Sequence, residues 1–446
     1  MNYKTQFKKL EIKDDLFNNK DMDFAKHLEK YLTKEQINEL ILSFDKKEHK
    51  GVYLNTKKMS DETFVSLFPD VQRHPSVEHA YLYDQDEYDL GKKVYHEQGA
   101  YYVQDPSAAI VSSLLPLNGN ERVLDLCAAP GGKTTQASLR LNKNGMIVAN
   151  DLSKQRAITL LQNVERMGLD NVVVTSLDFS KISNKYQNYF DAIILDAPCS
   201  GSGMFRKNDL MKQDWTYEKV LKYSSIQKEL ILMAFSMLKE GGTLVYSTCS
   251  YSYEEDEEVV EFLLEKTPAK LQQIPEITGN LRSKKYPETI HLLPSLFLGE
   301  GHYIALIKKD GKLSENRVEE KQIIRQVKSK GNAKESEVYL LKNNLDENLI
   351  NLSLRPGLFL KTIINKKEIP SHHYSHAIDS RSSISLNKEE VISYLAGNQI
   401  RKNSPDGYYS VSYMGMNLGL VHSVNGILKN LYPKGLRISA KIDHSF

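Results

Sequence analysis

"LDLCAAPGGKTTQAS" (124–138) is the stretch whose reading decides the fold. It ends an apolar strand, passes through a turn of small residues and opens a helix. Ala128, Ala129, Gly131 and Gly132 allow a ligand to approach the backbone closely, and the helix start offers unpaired N–H groups. A phosphate-binding P-loop needs G-x-x-x-x-G-K-[ST]. Gly132, Lys133 and Thr134 fit its end, but Cys127 stands where the first glycine belongs and Pro130 removes an N–H from the cradle. The dinucleotide pattern G-x-G-x-x-G is absent. What fits is an adenosine-bearing ligand at the carboxyl end of a first strand. Asp151 closes the next strand 19 residues past Gly132, where a carboxylate accepts hydrogen bonds from both ribose hydroxyls. Asp178, after a third strand, is read either as a partner for the adenine edge or as a surface turn acid. The acidic lining suits a sulfonium methyl donor better than a pyrophosphate.

Around this motif lie short, nearly continuous apolar runs: "RVLDL" (122–126), "MIVAN" (146–150), "NVVVTS" (171–176), "DAIILD" (191–196) and "TLVYST" (243–248). Helical stretches such as 153–167 and 217–238 separate them. Buried strands alternating with helices predict an α/β fold with a parallel sheet covered on both faces. "HYIALI" (302–307) is expected to complete that sheet. Upstream, Thr33 and Gln36 form a capping-box pattern before Ile37, Leu40, Ile41 and Phe44 at helical spacing, and "GVYLNT" (51–56) reads as a strand. Residues 308–336 are charged and poor in apolar residues, which predicts a linker or an exposed helix. Beyond them "VYLL", "GLFLKTI", "GYYSVSYMG" and "LGLVHSV" predict a small strand-rich module.

At 446 residues the chain is expected to hold several domains. Its formal net charge of +2 means that any nucleic-acid contact must come from local basic patches. Three cysteines without C-x-x-C spacing argue against a disulfide framework or a structural zinc site, so no metal is expected. Without a long apolar run or an apolar leader segment, the expectation is a reduced cytoplasmic protein that does not use a membrane.

Two of the cysteines end strands. Cys199 lies in "DAPCSGSG" (196–203) and Cys249 in "STCSYS" (247–252). In an open α/β sheet both strand ends face the same crevice as the cofactor loop. Two thiols and the acid Asp196 therefore converge near a nucleoside ligand. Pyrimidine C5 is a poor carbon nucleophile, but a thiolate added at C6 makes it enamine-like and able to attack a sulfonium methyl. Asp196 near N3 is suited to supply the proton that makes C6 electrophilic. This is covalent catalysis dividing one hard step into easier ones. The acids Glu254, Glu255, Asp256, Glu257 and Glu258 fall where the next helix should begin, are suited to its positive end, and are expected to point away from Cys249.

"GAYYVQDPSA" (99–108), "DLCAAPGGKTTQ" (125–136), "DAPCSGSGMFR" (196–206) and "STCSYSYEEDEEVV" (247–260), in this order and spacing, resemble the Sun-family RNA (cytosine-C5)-methyltransferases, most closely the bacterial RsmF/YebU-type ribosomal RNA enzymes. The resemblance implies a Rossmann-like S-adenosyl-L-methionine-dependent core at 99–309, an N-terminal RNA-binding domain at 1–98, a connecting region at 310–370 and a PUA-like RNA-binding domain at 371–446. It implies Cys249 as nucleophile and Cys199 as the thiol that assists release of product, whereas in DNA cytosine-C5 enzymes the cysteine of the "PC" motif attacks. The residues alone leave both assignments open. By the same resemblance Cys127, Ala128, Ala129, Pro130, Gly131, Gly132, Lys133, Asp151, Asp178 and Asp196 line the cofactor site, with Asp196 also facing the base. The implied product is 5-methylcytosine in 16S ribosomal RNA, free or in the small subunit, made by a monomer. The same chemistry on tRNA and a non-catalytic ribosome-assembly factor are the alternatives.

For RNA contact, "NGILKNLYPKGLR" (425–437) combines Lys429, Lys434 and Arg437, suited to phosphates, with Tyr432, suited to stacking on a base. It resembles the carboxyl-terminal RNA-binding region of the family. Arg206 is a further candidate for a backbone contact. The "YLNT" strand (53–56) lacks the basic residue found at that position in family members.

Overall fold

The structure is a computed structural model that describes residues 19–142, 144–313, 322–328, 335–342 and 346–437. Its centre is one twisted sheet. Strands β1 (Arg122–Asp125), β2 (Met146–Asn150), β3 (Val172–Thr175), β4 (Phe190–Asp196) and β5 (Leu238–Thr248) are parallel, and β6 (His302–Lys309) runs antiparallel beside β5. The order is β3-β2-β1-β4-β5-β6, and short strands beyond β6 extend the edge. The order reverses between β1 and β4, which opens a crevice at their carboxyl ends. The five apolar runs form the five parallel strands because each is buried on both faces. Ile193, Ile194 and Leu195 of β4 are all fully enclosed.

Helices α1 (Gly132–Leu139), α2 (Lys154–Met167), α3 (Tyr217–Met237) and α4 (Glu257–Lys266) connect and cover these strands. Helix α2 begins with Ser153, whose side chain accepts from the Arg156 N–H, and ends at Gly168 in a left-handed conformation. Ala157, Leu160, Val164 and Met167 turn inward at helical spacing. The capping box of Thr33 and Gln36 forms as its spacing predicts, at the start of helix Lys34–Ser43.

A four-stranded antiparallel sheet precedes the central one. It is built from Gln72–Arg73, Ala80–Tyr83, Lys50–Leu54 and Tyr101–Gln104. After β6 come two more sheets. The charged stretch 308–336, read as a linker or exposed helix, contains strand Gln322–Lys328, paired antiparallel with Glu335–Lys342. Residues 314–321 and 329–334 of that stretch lie outside the described residues. Its charge did not preclude a strand, because an edge strand needs only one partner and keeps a face in solvent. Leu358–Ile364 and Lys367–Pro370 complete this sheet, so the region expected as a connector at 310–370 is itself a folded element. The last sheet is made of Ile384–Ser385, Ile400–Arg401, Gly407–Tyr413, Met416–Val424 and Ile427–Asn430.

The N-terminal and C-terminal sheets share one core. Leu54, Phe64, Tyr81 and Tyr101 pack in the same apolar cluster as Tyr394, Val411, Leu418 and Tyr432. The Gln98 amide donates to the carbonyls of Tyr413 and Met416, both at 2.8 Å. Helix His372–Ala377 wedges between the core and this pair of units. His373 Nε2 lies 3.2 Å from the Leu169 carbonyl, and His372 and His376 meet at 3.2 Å through their Nε2 atoms. Among the described residues no helix is long and apolar enough to cross a membrane.

Burial lowers His373 to about 3 and His376 well below its ordinary value. Both rings fold neutral, whereas in the unfolded chain they take up protons below about pH 6.5. The unfolded state therefore binds more protons across the window from about 6.5 down to about 3, and stability falls as pH falls through it. We expect acid to cost about 1.4 kcal/mol per pH unit for each such ring, read as a falling denaturation midpoint between pH 6.5 and 4. Replacing His373 by Gln should flatten that slope.

Candidate active site

The crevice at the carboxyl ends of β1, β4 and β5 collects the residues singled out from the sequence. After β1 the chain turns through Cys127, Ala128, Ala129 and Pro130 to Gly131, which has φ 115° and starts α1. A Cβ there would meet Leu160 Cδ1 at 3.0 Å, and the left-handed backbone favours glycine in any case. Asn150, at the end of β2, fixes this turn. Its amide donates to the Leu126 and Leu177 carbonyls, and its oxygen accepts from Thr175 Oγ1 and the Leu177 N–H. Arg156 of α2 donates to the Ala129 carbonyl at 2.7 Å and pairs with Asp151 at 3.1 Å.

Three aspartates cluster at the crevice. Asp125 is fully buried, accepts from Thr134 Oγ1 at 2.6 Å, and is pushed up to about 7 chiefly by burial. Its other oxygen has no hydrogen-bond partner. Asp151 is buried, with Oδ1 accepting from the Ser153 N–H. Asp196 ends β4. Burial works to raise it, but the ammonium of Lys133 at 2.8 Å outweighs that and, with Ser247 Oγ donating at 2.7 Å, holds it below the usual carboxylate range. Asp196 is thus held toward the ionised form. Burial, reinforced by these acids, keeps the Cys127 thiol protonated.

The two strand-end cysteines meet. Cys199 Sγ and Cys249 Sγ lie 3.1 Å apart. The hydrogen bond to Cys249, then burial, pushes the Cys199 thiol well up. Glycine at 203 permits this approach, because its N–H donates to the Cys249 carbonyl at 2.6 Å and any Cβ would collide with that oxygen. The acids after Cys249 do not all form a first helical turn. Only Glu257 and Glu258 lie inside α4. Glu255, fully buried, points back between the two loops. It accepts from the Ser200 N–H at 2.8 Å, from Ser200 Oγ, from Ser250 Oγ at 2.6 Å and from Gln227 Nε2 at 3.1 Å. Asp256 accepts from Thr248 Oγ1, and Glu257 pairs with His291 at 2.8 Å.

Other expected positions differ in role. Asp178 accepts from Ser180 and pairs with Lys181 across its own turn, so its oxygens are engaged locally. Arg206 is not a free surface cation: it is buried, doubly bonded to Glu300 and donating to the Gly299 carbonyl. Tyr432 does not offer a stacking face, being 2% exposed, with its ring against Tyr394 and His372 and its hydroxyl donating to Glu97. In both cases a sequence window shows the cation or ring but not the buried partner that takes it. Lys429 and Lys434 are exposed, and Arg437 donates to the Tyr432 carbonyl. Sequence reasoning missed His302. It opens β6, which runs antiparallel, so its side chain enters the crevice 3.9 Å from Asp196.

The family model described as 16S rRNA methyltransferase RsmB/F matches residues 112–308. Models of the RsmF N-terminal domain and the RsmF PUA domain match 21–106 and 381–438. The ribosomal RNA small subunit methyltransferase F of Shewanella piezotolerans is 30% identical over 428 residues, spanning 86% of this chain and 90% of that protein. The chain belongs to the ribosomal RNA small subunit methyltransferase F family. Its counterpart in Escherichia coli K12 is 36% identical over 274 residues, covering 58% of this chain and 57% of that protein. Among solved structures, a methyltransferase homolog from Pyrococcus horikoshii aligns with TM-score 0.57 at 26% identity, over 64% of this chain and 94% of its own. The NSun6 of the same organism, solved with SFG, aligns with TM-score 0.59 at 21% identity, over 65% of this chain and 98% of its own, and bears on the fold alone.

Two outcomes follow from the buried pairs. Glu255→Ala leaves the Ser200, Ser250 and Gln227 donors without their acceptor and should destabilise by about 3 kcal/mol, read by equilibrium denaturation, with methyl transfer lost. Arg206→Ala strands Glu300 and should cost about 3–5 kcal/mol while leaving the salt dependence of RNA binding unchanged.

Proposed function

We propose that this protein forms 5-methylcytosine in 16S ribosomal RNA with S-adenosyl-L-methionine, through a covalent bond between Cys249 and C6 of the base. The observation that carries the reading is the pair of thiols 3.1 Å apart beside an ionised Asp196, at the edge of an adenosine-type cofactor loop. The family relationship agrees with it.

The residues after β1 and β2 suit the cofactor. The turn from Cys127 to Lys133 needs the left-handed backbone of Gly131, Asp125 keeps a buried oxygen without a partner, and Asp151 follows directly after β2, where a ribose partner belongs. When bound, S-adenosylmethionine supplies a methyl group on a sulfonium. Asp125, Asp151 and Asp196 form acidic surroundings for that positive charge.

Around the base, Asp196 accepts from the amino group and stabilises a proton at N3, which draws electrons from C6. Lys133 keeps Asp196 ionised until the base arrives. Cys249 is the nucleophile of this reading, and Cys199, its thiol pushed up by the contact with Cys249 and by burial, is the one that stays protonated. Once that sulfur is bonded to C6, the main cause of the raised Cys199 pKa is gone, and Cys199 is free to take part in proton transfer as product is released. Lys429 of the last strand and Lys434 of the turn after it, with Arg437, remain suited to RNA phosphates. The target cytosine has to leave its stack or be unpaired to reach the crevice.

Methyl transfer from labelled donor to 16S RNA or to small-subunit particles tests the reading. Cys249→Ala should lower turnover at least about 10⁴-fold and give no adduct. Cys199→Ala should accumulate an RNA–protein adduct that survives denaturing gels. An adduct in Cys249→Ala would reverse the two roles, and no incorporation into ribosomal RNA with methylation of tRNA instead would move the substrate.

A further inference from the structure

The loops after β4 and β5 run side by side and match residue for residue. In the parallel register Asp196 lies beside Ser247, and the Ala197 N–H donates to the Ser247 carbonyl at 2.9 Å. Further along, Cys199 meets Cys249 with the sulfurs 3.1 Å apart, and Ser200 Oγ lies 3.4 Å from Ser250 Oγ. Glu255 holds both serines, and the Gly203 N–H donates to the Cys249 carbonyl at 2.6 Å. The approach of the two sulfurs is therefore set by protein groups alone.

A disulfide bond needs about 2.05 Å between its sulfurs. Closing the gap takes about half an ångström from each thiol, which small side-chain rotations supply. Both thiols are half-buried, so a small molecule entering the crevice reaches them. The third cysteine, Cys127, is kept protonated by burial and by Asp125, Asp196 and Asp151, which makes it a poor nucleophile. Cys199 is likewise kept protonated, first by its contact with Cys249 and then by burial. Chemistry with an external disulfide therefore starts at Cys249. A group bonded to the Cys249 sulfur removes the main cause of the raised Cys199 pKa and lets Cys199 ionise in turn.

We propose that Cys199 and Cys249 form a reversible disulfide by exchange with small-molecule disulfides of the glutathione class, and that this link switches methyl transfer off. The loss of activity rests on the reading of Cys249 as nucleophile; the link itself does not. The Cys249 thiolate attacks one sulfur of the small disulfide, the S–S bond of that molecule breaks, and one small thiolate leaves. Cys199 then attacks the Cys249 sulfur of the mixed disulfide, and the second small thiolate leaves. Two protein thiols are oxidised, one small disulfide is reduced to two thiols, and the protons of the cysteines pass to the leaving groups. A thiol reductant reverses both steps. Disulfides in reducing compartments are in the main transient and redox-sensing, and here the link sequesters the nucleophile and the release thiol together.

The test equilibrates the full chain with mixtures of reduced and oxidised glutathione and quenches one portion by alkylation in denaturant for mass and peptide mapping. A second portion is assayed for methyl transfer to 16S RNA. Oxidation should lower the alkylatable thiols from three to one, remove two hydrogens from the chain mass and join the Cys199 and Cys249 peptides. Methyl transfer should fall in proportion to the linked fraction, and dithiothreitol should restore it in full. Cys127→Ser should still form the link. Cys199→Ser lacks the resolving thiol and should keep one glutathione on Cys249. If the reduced chain methylates RNA but oxidation gives only mixed disulfides, or leaves all three thiols free, the switch does not exist and the catalytic reading stands. If the link forms and methyl transfer persists, the switch and the nucleophile assignment fail together.

Discussion

The carboxylate of Glu255 accepts from Ser200, Ser250 and Gln227, and by doing so ties the loop after β4 to the loop after β5. Burying a carboxylate is costly unless its oxygens are satisfied. Here the donors come from three elements that have to arrive together. The reward for satisfying Glu255 is that Cys199 and Cys249, each one residue from a serine it holds, end with their sulfurs 3.1 Å apart. The acidic run after the nucleophile is therefore part of the clamp that sets the thiols. Its carboxylates are spent on hydroxyl, amide and imidazole partners.

Charge in the crevice is arranged by separation of states. Three aspartates share one region, and like charges so close would raise one another. Burial leaves Asp125 near neutrality, while Lys133 draws Asp196 to the ionised form. Lys133 is the residue that, in a P-loop, would meet a phosphate. In this turn Pro130 and the absent first glycine leave no cradle for one, and the ammonium instead spans from α1 to the end of β4. One lysine thereby links the cofactor turn to the acid that faces the base.

The outer units are less independent than a chain of domains suggests. Tyr432 and Tyr394 of the last sheet pack with Phe64 and Tyr101 of the first, and Glu97 accepts from the Tyr432 hydroxyl. The last sheet is thereby held against the first, which packs on the catalytic core through helix Pro106–Ser113. Any RNA surface formed by Lys429 and Lys434 is accordingly set relative to the crevice by apolar packing, which salt does not screen.

Much was legible in the amino-acid order alone. The five parallel strands, helices α2 and α3, the capping box at Thr33 and the cofactor turn all follow from local patterns, because periodicity, capping and glycine geometry act over a few residues. The pairing of "HYIALI" with the sheet was legible too, but its direction was not. That direction brings His302 beside Asp196, since an antiparallel strand delivers its first residue, not its last, to the carboxyl edge. Arg206 and Tyr432 look from the sequence like RNA contacts, and the strand at 322–328 looks like a linker. Each depends on a partner far along the chain: Glu300, Glu97 and strand 335–342. The sequence by itself determined which elements form and which residues can do chemistry. Only the tertiary structure decided which of those residues are consumed by burial and which face the crevice, because burial and ion pairing are properties of contacts between distant segments.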